Sequence, residues 1–470
     1  LIINCHLIKC LSSERRCRLG SWSPSGKSGR GCGLAPRAAF AQFAIMCSSM
    51  MLRSANFRPS ARSLLVVAAS ASAMSCVTAQ GVGQSTGHVS AKPLSQVHLV
   101  IDVGSSGTSL CMFPVRIEAE GRRCAVGNIA PVCAKSKGGL ASLTLGKSPN
   151  AIAELVQSRL AVAWDSLGDP GKGGRPEWRA QVRAAAALGT GGFRDPVSGQ
   201  PLSRPEWAAL WQAVQQFFVQ HAAIRSVVAR PITGSEEGQL AWQGVRESVQ
   251  PGERFAIMEV GGATVQFATA DGPFEQDPAR VVAVSDGRGQ DVTFARFTEP
   301  RTMQPSFAVC HSPEHRERQS GSVCIDFLFD QVFADSRVAG LAAVTPPRRV
   351  YALGAPWLGL LRELPSAPPW TIKSNRDLPL QVRLGDLRAL AEWVCPKTDR
   401  QLLTIAPHSY EAMRGAGRTC FSVAYHAAYF QAIAPAAMGA EVIPGGDEQW
   451  ARGAASSDAF FAACRSTSAK

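Results

Sequence analysis

One pattern occurs twice in this chain, 157 residues apart, and few folds can hold it. Leu99 to Leu110 reads LVIDVGSSGTSL, and Phe255 to Ala268 reads FAIMEVGGATVQFA. Each copy is an apolar run ending on one acid, a turn of small residues and hydroxyls, then a second apolar run. The acids are Asp102 and Glu259. Glycines in such a hairpin allow positive φ and close backbone approach, and the N–H groups of the turn can converge on an anion. A carboxylate beside an anion-binding turn is electrostatically sensible only with a divalent cation, or its water shell, between the two. Two matched copies predict a duplicated α/β lobe whose turns grip one phosphate chain from opposite sides.

The intervening sequence alternates strand and helix, as α/β layers require. Residues 97–103 form a buried strand. Residues 148–167 form a helix with Ser148 as N-cap and Pro149 at the first turn. Residues 182–190 read as a strand, 203–222 as a helix, 225–233 as a strand, and 254–260 as another buried strand. Residues 270–325 are polar and irregular and read as an insertion or lid. Segments 348–364, 384–394 and 421–434 return to strand and core-helix patterns. The expected division is lobe I over 96–232, completed by 426–470, and lobe II over 233–425.

Charge does not point to nucleic acid. The net charge of the 470 residues is +13. Residues 1–80 hold ten Lys or Arg and one acid, so they carry +9 and leave +4 for the remainder. Residues 1–50 lack periodicity, begin with Leu1 rather than Met, and read as a non-native or disordered head. Residues 51–79 read as a signal peptide: Arg53, Arg58 and Arg62 precede an apolar run too short to span a bilayer, and Val77-Thr78-Ala79 fits cleavage. Residues 80–95 read as a linker. The expected location is secreted, periplasmic or otherwise outside the cytoplasm. Fourteen cysteines are present, eight of them beyond the head, and none forms a CxxC pair. Disulfides are therefore expected rather than a zinc cluster, with Cys310–Cys324 and Cys395–Cys420 as local pairs.

Two further segments sharpen the site. ALGTGGFRD (187–195) puts Thr190, Gly191, Gly192 and Arg194 after a strand, where an arginine can neutralise phosphate charge. ITGSEEGQLAW (232–242) puts two carboxylates at a helix start. Glu236 there suits the helix dipole, and Glu237, beside Gly238, suits a general base.

The ordered set DVGSSGTS, GTGGFR, GSEEGQLAW and EVGGATVQ resembles the apyrases, nucleoside triphosphate diphosphohydrolases of the actin-like ATPase superfamily. YALGAPWLGLL and TCFSVAYHAAYFQ resemble two later segments of that family, so the likeness spans about residues 97–434. It implies two RNase-H-like lobes with an active-site cleft between them, and Ca²⁺- or Mg²⁺-dependent hydrolysis of the terminal phosphate of nucleoside tri- and diphosphates. It assigns Glu237 as catalytic base, with Gln266 and Thr264 holding the water. Gly104, Ser105, Ser106, Gly107, Thr108, Thr190, Arg194, Gly261, Gly262 and Ala263 bind phosphate. Asp102 and Glu259 hold the metal through water, and Tyr351 and Trp357 are candidates for the base. Three departures stand out: Glu259 where the family has Asp, Thr264 where it has Ser, and Ser109 where it has a basic residue. The alternatives are an exopolyphosphatase or guanosine pentaphosphatase, a non-catalytic nucleotide-binding protein, and, less favoured, a sugar kinase of the same fold. No transmembrane span and no nucleic-acid partner are expected.

Overall fold

The computed structural model describes residues 96–464, less 106, 118–123, 127–128, 196–197, 251, 271–280, 299–309, 311–320, 335–346, 355–356, 364–381, 414, 434–437 and 447. The head, signal and linker expectations lie outside these residues.

Two six-stranded sheets repeat one plan. In the first, β1 (Gln96–Val103) pairs antiparallel with β2 (Gly107–Ile117). Strand β2 pairs in turn with β3 (Cys124–Val126) at its far half and β4 (Val132–Lys137) at its near half. On the other side of β1 lie, in parallel, β5 (Val182–Gly189) and β6 (Ser226–Pro231). In the second sheet β7 (Phe255–Val260), β8 (Val265–Ala270) and β9 (Val281–Asp286) form the antiparallel meander. Strand β10 (Arg349–Leu353) and then β12 (Glu441–Pro444) run parallel beyond β7, with β11 (Val382–Arg383) at the edge. A meander followed by two parallel strands, present twice, is the duplicated α/β lobe that the sequence repeat predicts.

Strand alternation sorts side chains into three cores. Leu99, Ile101 and Val103 join the outer core of the first sheet, under helices α1 (Pro149–Leu167) and α2 (Pro205–His221). Ser148 caps α1 as expected, accepting from the Ala151 amide. Ala256, Met258 and Val260 face the outer core of the second sheet. The residues between them, Val100 on β1 and Phe255 and Ile257 on β7, face a shared inner core. That inner core is filled by α3 (Gly234–Arg246) and, at the far end of the chain, by Trp450, Ala451, Ala454 and Ala455.

Helices α4 (Gln290–Thr298), α5 (Gly321–Leu328), α6 (Trp357–Glu363), α7 (Asp386–Val394) and α8 (Ala416–Ile433) belong to the second lobe, and α9 (Gln449–Ser456) returns against α3. Gly244 and Gly453 allow that crossing: a Cβ on Gly453 would overlap the Leu240 carbonyl, and one on Gly244 would overlap the Gln449 carbonyl.

Two expectations change. Segment 270–325 is not only an insertion, because β9 within it completes the second meander. Residues 426–444 do not complete lobe I: α8 packs in the second lobe's core and β12 joins the second sheet, so the chain returns to the first lobe only at α9. The two expected disulfides are present, and Cys111–Cys133 and Cys124–Cys464 join them. No helix among the described residues is long and apolar enough to cross a membrane.

Candidate functional site

The two hairpins are the same object. Val103 pairs with Thr108 across the first turn, and Val260 with Val265 across the second. Each turn is closed by one hydrogen bond: Gly104 N–H donates to the Gly107 carbonyl at 2.9 Å, and Gly261 N–H donates to the Thr264 carbonyl at 2.8 Å. Positive φ is not the reason for their glycines, since none of Gly104, Gly107, Gly261 and Gly262 adopts it. Close approach is the reason. The second-motif glycines lie wedged between the hairpins. A Cβ on Gly192 would stand 3.1 Å from Ser105 Cα and 2.9 Å from Ala141 Cβ, and one on Gly191 would stand 3.1 Å from both Ala263 Cβ and Thr264 Oγ1. One dipeptide therefore touches both turns, which face each other as the sequence repeat predicts.

Alternation aims the acids. Asp102, two residues after Val100, and Glu259, two after Ile257, share the inner face of their sheets. Asp102 pairs with Ser109, and Glu259 with Gln266. Thr190 Oγ1 donates to Asp102 Oδ1 at 3.1 Å. Burial, and then the negative charge of Glu237, push the Asp102 carboxyl up to about 7; Thr190, Arg194 and Lys135 pull the other way.

Glu237 stands on the first turn of α3. Thr233 caps this helix by accepting from the Glu236 amide. Gly238 lets the helix settle onto the second sheet, since a Cβ there would lie 3.3 Å from Ala283 Cβ and 3.5 Å from Gln266 Cβ. Glu237 is 5 % exposed, and its Oε2 takes two contacts: Arg194 Nη1 at 2.6 Å, and the Gln266 amide, which donates at 2.8 Å. Gln266 also donates to Thr264 Oγ1 at 2.9 Å, and Arg194 Nε donates to the Ile232 carbonyl at 2.6 Å. The result is a continuous buried chain from Thr264 through Gln266, Glu237 and Arg194 to Ile232. Oε1 of Glu237 takes no part in it. Neighbouring Glu236 turns away to pair with Arg230 at 2.5 Å, consistent with a structural role at the helix start.

The contacts of the assigned side chains are local. Arg194 has a fully buried side chain and pairs with Glu237. Gln266 donates its amide hydrogens to Glu237 and Thr264. Thr108 is buried and, paired with Val103, shares the outer face; its hydroxyl does not sit beside Asp102. Ser106 lies outside the described residues. Of the two base candidates, Trp357 is wholly buried in the second lobe's core, edge-on to His426, which leaves no ring face for a base, whereas Tyr351 is half-buried at the border of the inner core, edge-on to Phe255. Both follow the apolar pattern of their elements, which outweighs aromatic character as a guide. Strand β4, with Lys135, gave no signal in the sequence reading: its pairing with β2 is a tertiary fact.

The donor set suits a hard divalent cation. Asp102 and Glu259 supply carboxylate oxygens, and the burial and Glu237 charge that raise the Asp102 carboxyl both penalise its anion, a cost that a cation would offset. No cluster of three or more His, Cys, Asp or Glu among the described residues could chelate an ion unaided. A bound ion would therefore complete its shell with water and substrate oxygens, as Mg²⁺ commonly does.

No protein-family model matches the sequence, and no curated protein matches it. Among solved structures, the chain is similar to a Ppx/GppA family member from Aquifex aeolicus, at 14 % identity over 77 % of this chain and 97 % of that one, with a TM-score of 0.45. It is similar to an exopolyphosphatase from Cytophaga hutchinsonii, at 16 % identity over 76 % and 96 %, with a TM-score of 0.43. It is also similar to nucleoside triphosphate hydrolases from Neospora caninum, at 14 % identity over 75 % and 88 %, with a TM-score of 0.45. The two-lobe architecture rests on the strand order described above.

Proposed function

We propose that this protein is a metal-dependent phosphoanhydride hydrolase that removes the terminal phosphate of nucleoside tri- and diphosphates. The observation that carries the reading is a buried carboxylate, Glu237, held by Arg194 and Gln266 beside two matched hairpins bridged by Gly191 and Gly192. A group fixed in this way loses little entropy when it acts.

The backbone amides of the two turns bind the phosphate oxygens. Glu237 Oε1 accepts a proton from an attacking water while Oε2 stays anchored, and the water oxygen displaces the remaining phosphate chain in line. Asp102 and Glu259 would hold a divalent cation through water; when bound, it neutralises charge on the phosphate oxygens. Thr190 keeps Asp102 oriented. Glu259 carries one methylene more than the aspartate of the apyrase pattern, which favours a different metal preference.

Four disulfides support work outside the reducing cytosol, in line with the signal-like segment at 51–79. The test is phosphate release from ATP, ADP and inorganic polyphosphate with Mg²⁺ or Ca²⁺, for the wild type and Glu237→Gln. Release from both nucleotides that falls on the order of 100-fold or more in the variant is the expected result. Release from polyphosphate alone would favour the exopolyphosphatase reading, and undiminished release by the variant would remove Glu237 as the base.

A further inference from the structure

The first sheet carries two lysines that the mechanism leaves unused. Asp102 on β1 pairs with Ser109 on β2, and Ser109 pairs with Lys135 on β4. Directly paired residues share a face, so Lys135 stands on the side of the sheet to which Asp102 points. The parity is fixed independently: Cys111 and Cys133, paired and disulfide-bonded, lie two residues from Ser109 and Lys135 on the same face. Val132 and Ala134, at the alternate positions, pack on the outer core. Lys137, two residues beyond Lys135, pairs with Gly107 in the first hairpin. Both lysines are exposed, and neither has an acidic partner at ion-pair distance among the described residues.

From this row we infer that Lys135, assisted by Lys137, binds the phosphates of the substrate that extend beyond the bond being cleaved, so that the site prefers longer phosphate chains. Two strand spacings of about 4.8 Å place the Lys135 Cα about 10 Å from that of Asp102, and Lys137 lies roughly 7 Å further along β4. These distances lie past a single phosphate held at the turn and within reach of a lysine stem. Two mobile ammonium groups beside an amide cradle supply charge without fixing a base, so the ligand class is an extended phosphate chain. Lys135 occupies the strand next to Ser109, where the apyrase pattern has its own cation, and the Cys111–Cys133 bridge holds the edge strand in the register that puts it there.

The ligand's identity rests on the hydrolase reading, so the test separates the two. Binding of inorganic tripolyphosphate and of pyrophosphate, each with Mg²⁺, is measured by calorimetry in a Glu237→Gln background, which limits turnover. Lys135→Met is expected to weaken tripolyphosphate binding roughly 3- to 10-fold, with less than about a 2-fold effect on pyrophosphate and a loss that shrinks in high salt. Lys137→Met gives a smaller change in the same direction, Lys135→Arg restores affinity, and Lys147→Met, an exposed lysine in another turn of the first lobe, changes nothing. Unchanged tripolyphosphate affinity in Lys135→Met, equal weakening of both ligands, or no binding of tripolyphosphate to the parent would overturn the inference. Phosphate release by the wild type judges the hydrolase reading separately.

Discussion

Glu237 and Arg194 form a buried ion pair in which neither group is replaceable alone. The Arg194 side chain is wholly buried, so removing Glu237 leaves a cation without its partner, and the reverse change strands an anion. Glu237→Gln also removes the charge, but it keeps the shape and an amide oxygen that accepts from Arg194, and is the preferable variant for that reason. Gln266 acts through Glu237: Gln266→Leu is expected to lower kcat about 10- to 100-fold with little change in KM, measured by phosphate release. His426 is a second buried polar residue. Its Nδ1 faces the Ser422 carbonyl at 2.6 Å, so that nitrogen carries the proton, and burial pushes its pKa down to about 4. The folded state resists protonation that the unfolded chain accepts near pH 6.5, so stability is full above that pH and declines as pH falls towards 4. About 2.5 pH units correspond to about 3 kcal/mol. Tm measured between pH 7 and 4 should fall, and His426→Leu should flatten that fall.

At the level of elements, the site depends on how close backbones can come. Gly191 and Gly192 touch both hairpins, so Gly192→Ala must displace Ser105 or Ala141. The expected result is a kcat/KM lower by roughly 10- to 100-fold with a modest drop in Tm, since a shift of about 1 Å is enough for such a loss. Helices α3 and α9 cross at Gly244 and Gly453 with no room for a side chain. Gly453→Ala should destabilise by about 1–3 kcal/mol, read as a lower midpoint in denaturant. Because α3 carries Glu237, the same change should also reduce activity in the remaining folded protein.

At the largest scale, the described residues form two copies of one sheet plan around a shared inner core, with α9 returning to the first lobe. Cys124–Cys464 secures that return across 340 residues of sequence. A closed loop of this length contributes about 6 kcal/mol in the chain-entropy account. Cys464→Ser should therefore lower Tm by several degrees and free α9 from β3, while loss of the local Cys395–Cys420 bridge should cost less. An equal effect of the two would contradict the chain-entropy account for this protein.

The repeat around Asp102 and Glu259, the strand and helix order, the cap at Ser148 and two of the disulfides were legible because each is a local pattern of period two, period 3.6, or short spacing. The facing hairpins followed from the duplication. What Arg194 and Gln266 bind, the burial of Trp357, the face taken by Thr108 and the place of β12 were not legible, because each depends on which element packs beside it. Lys135 shows the difference most plainly: nothing in VCAKSK names a site, and only pairing across two strands puts Lys135 on the face of the sheet to which Asp102 points. Local sequence determines which backbone geometry is cheap, whereas contacts between residues far apart in the chain are fixed only once the sheets and helices have packed.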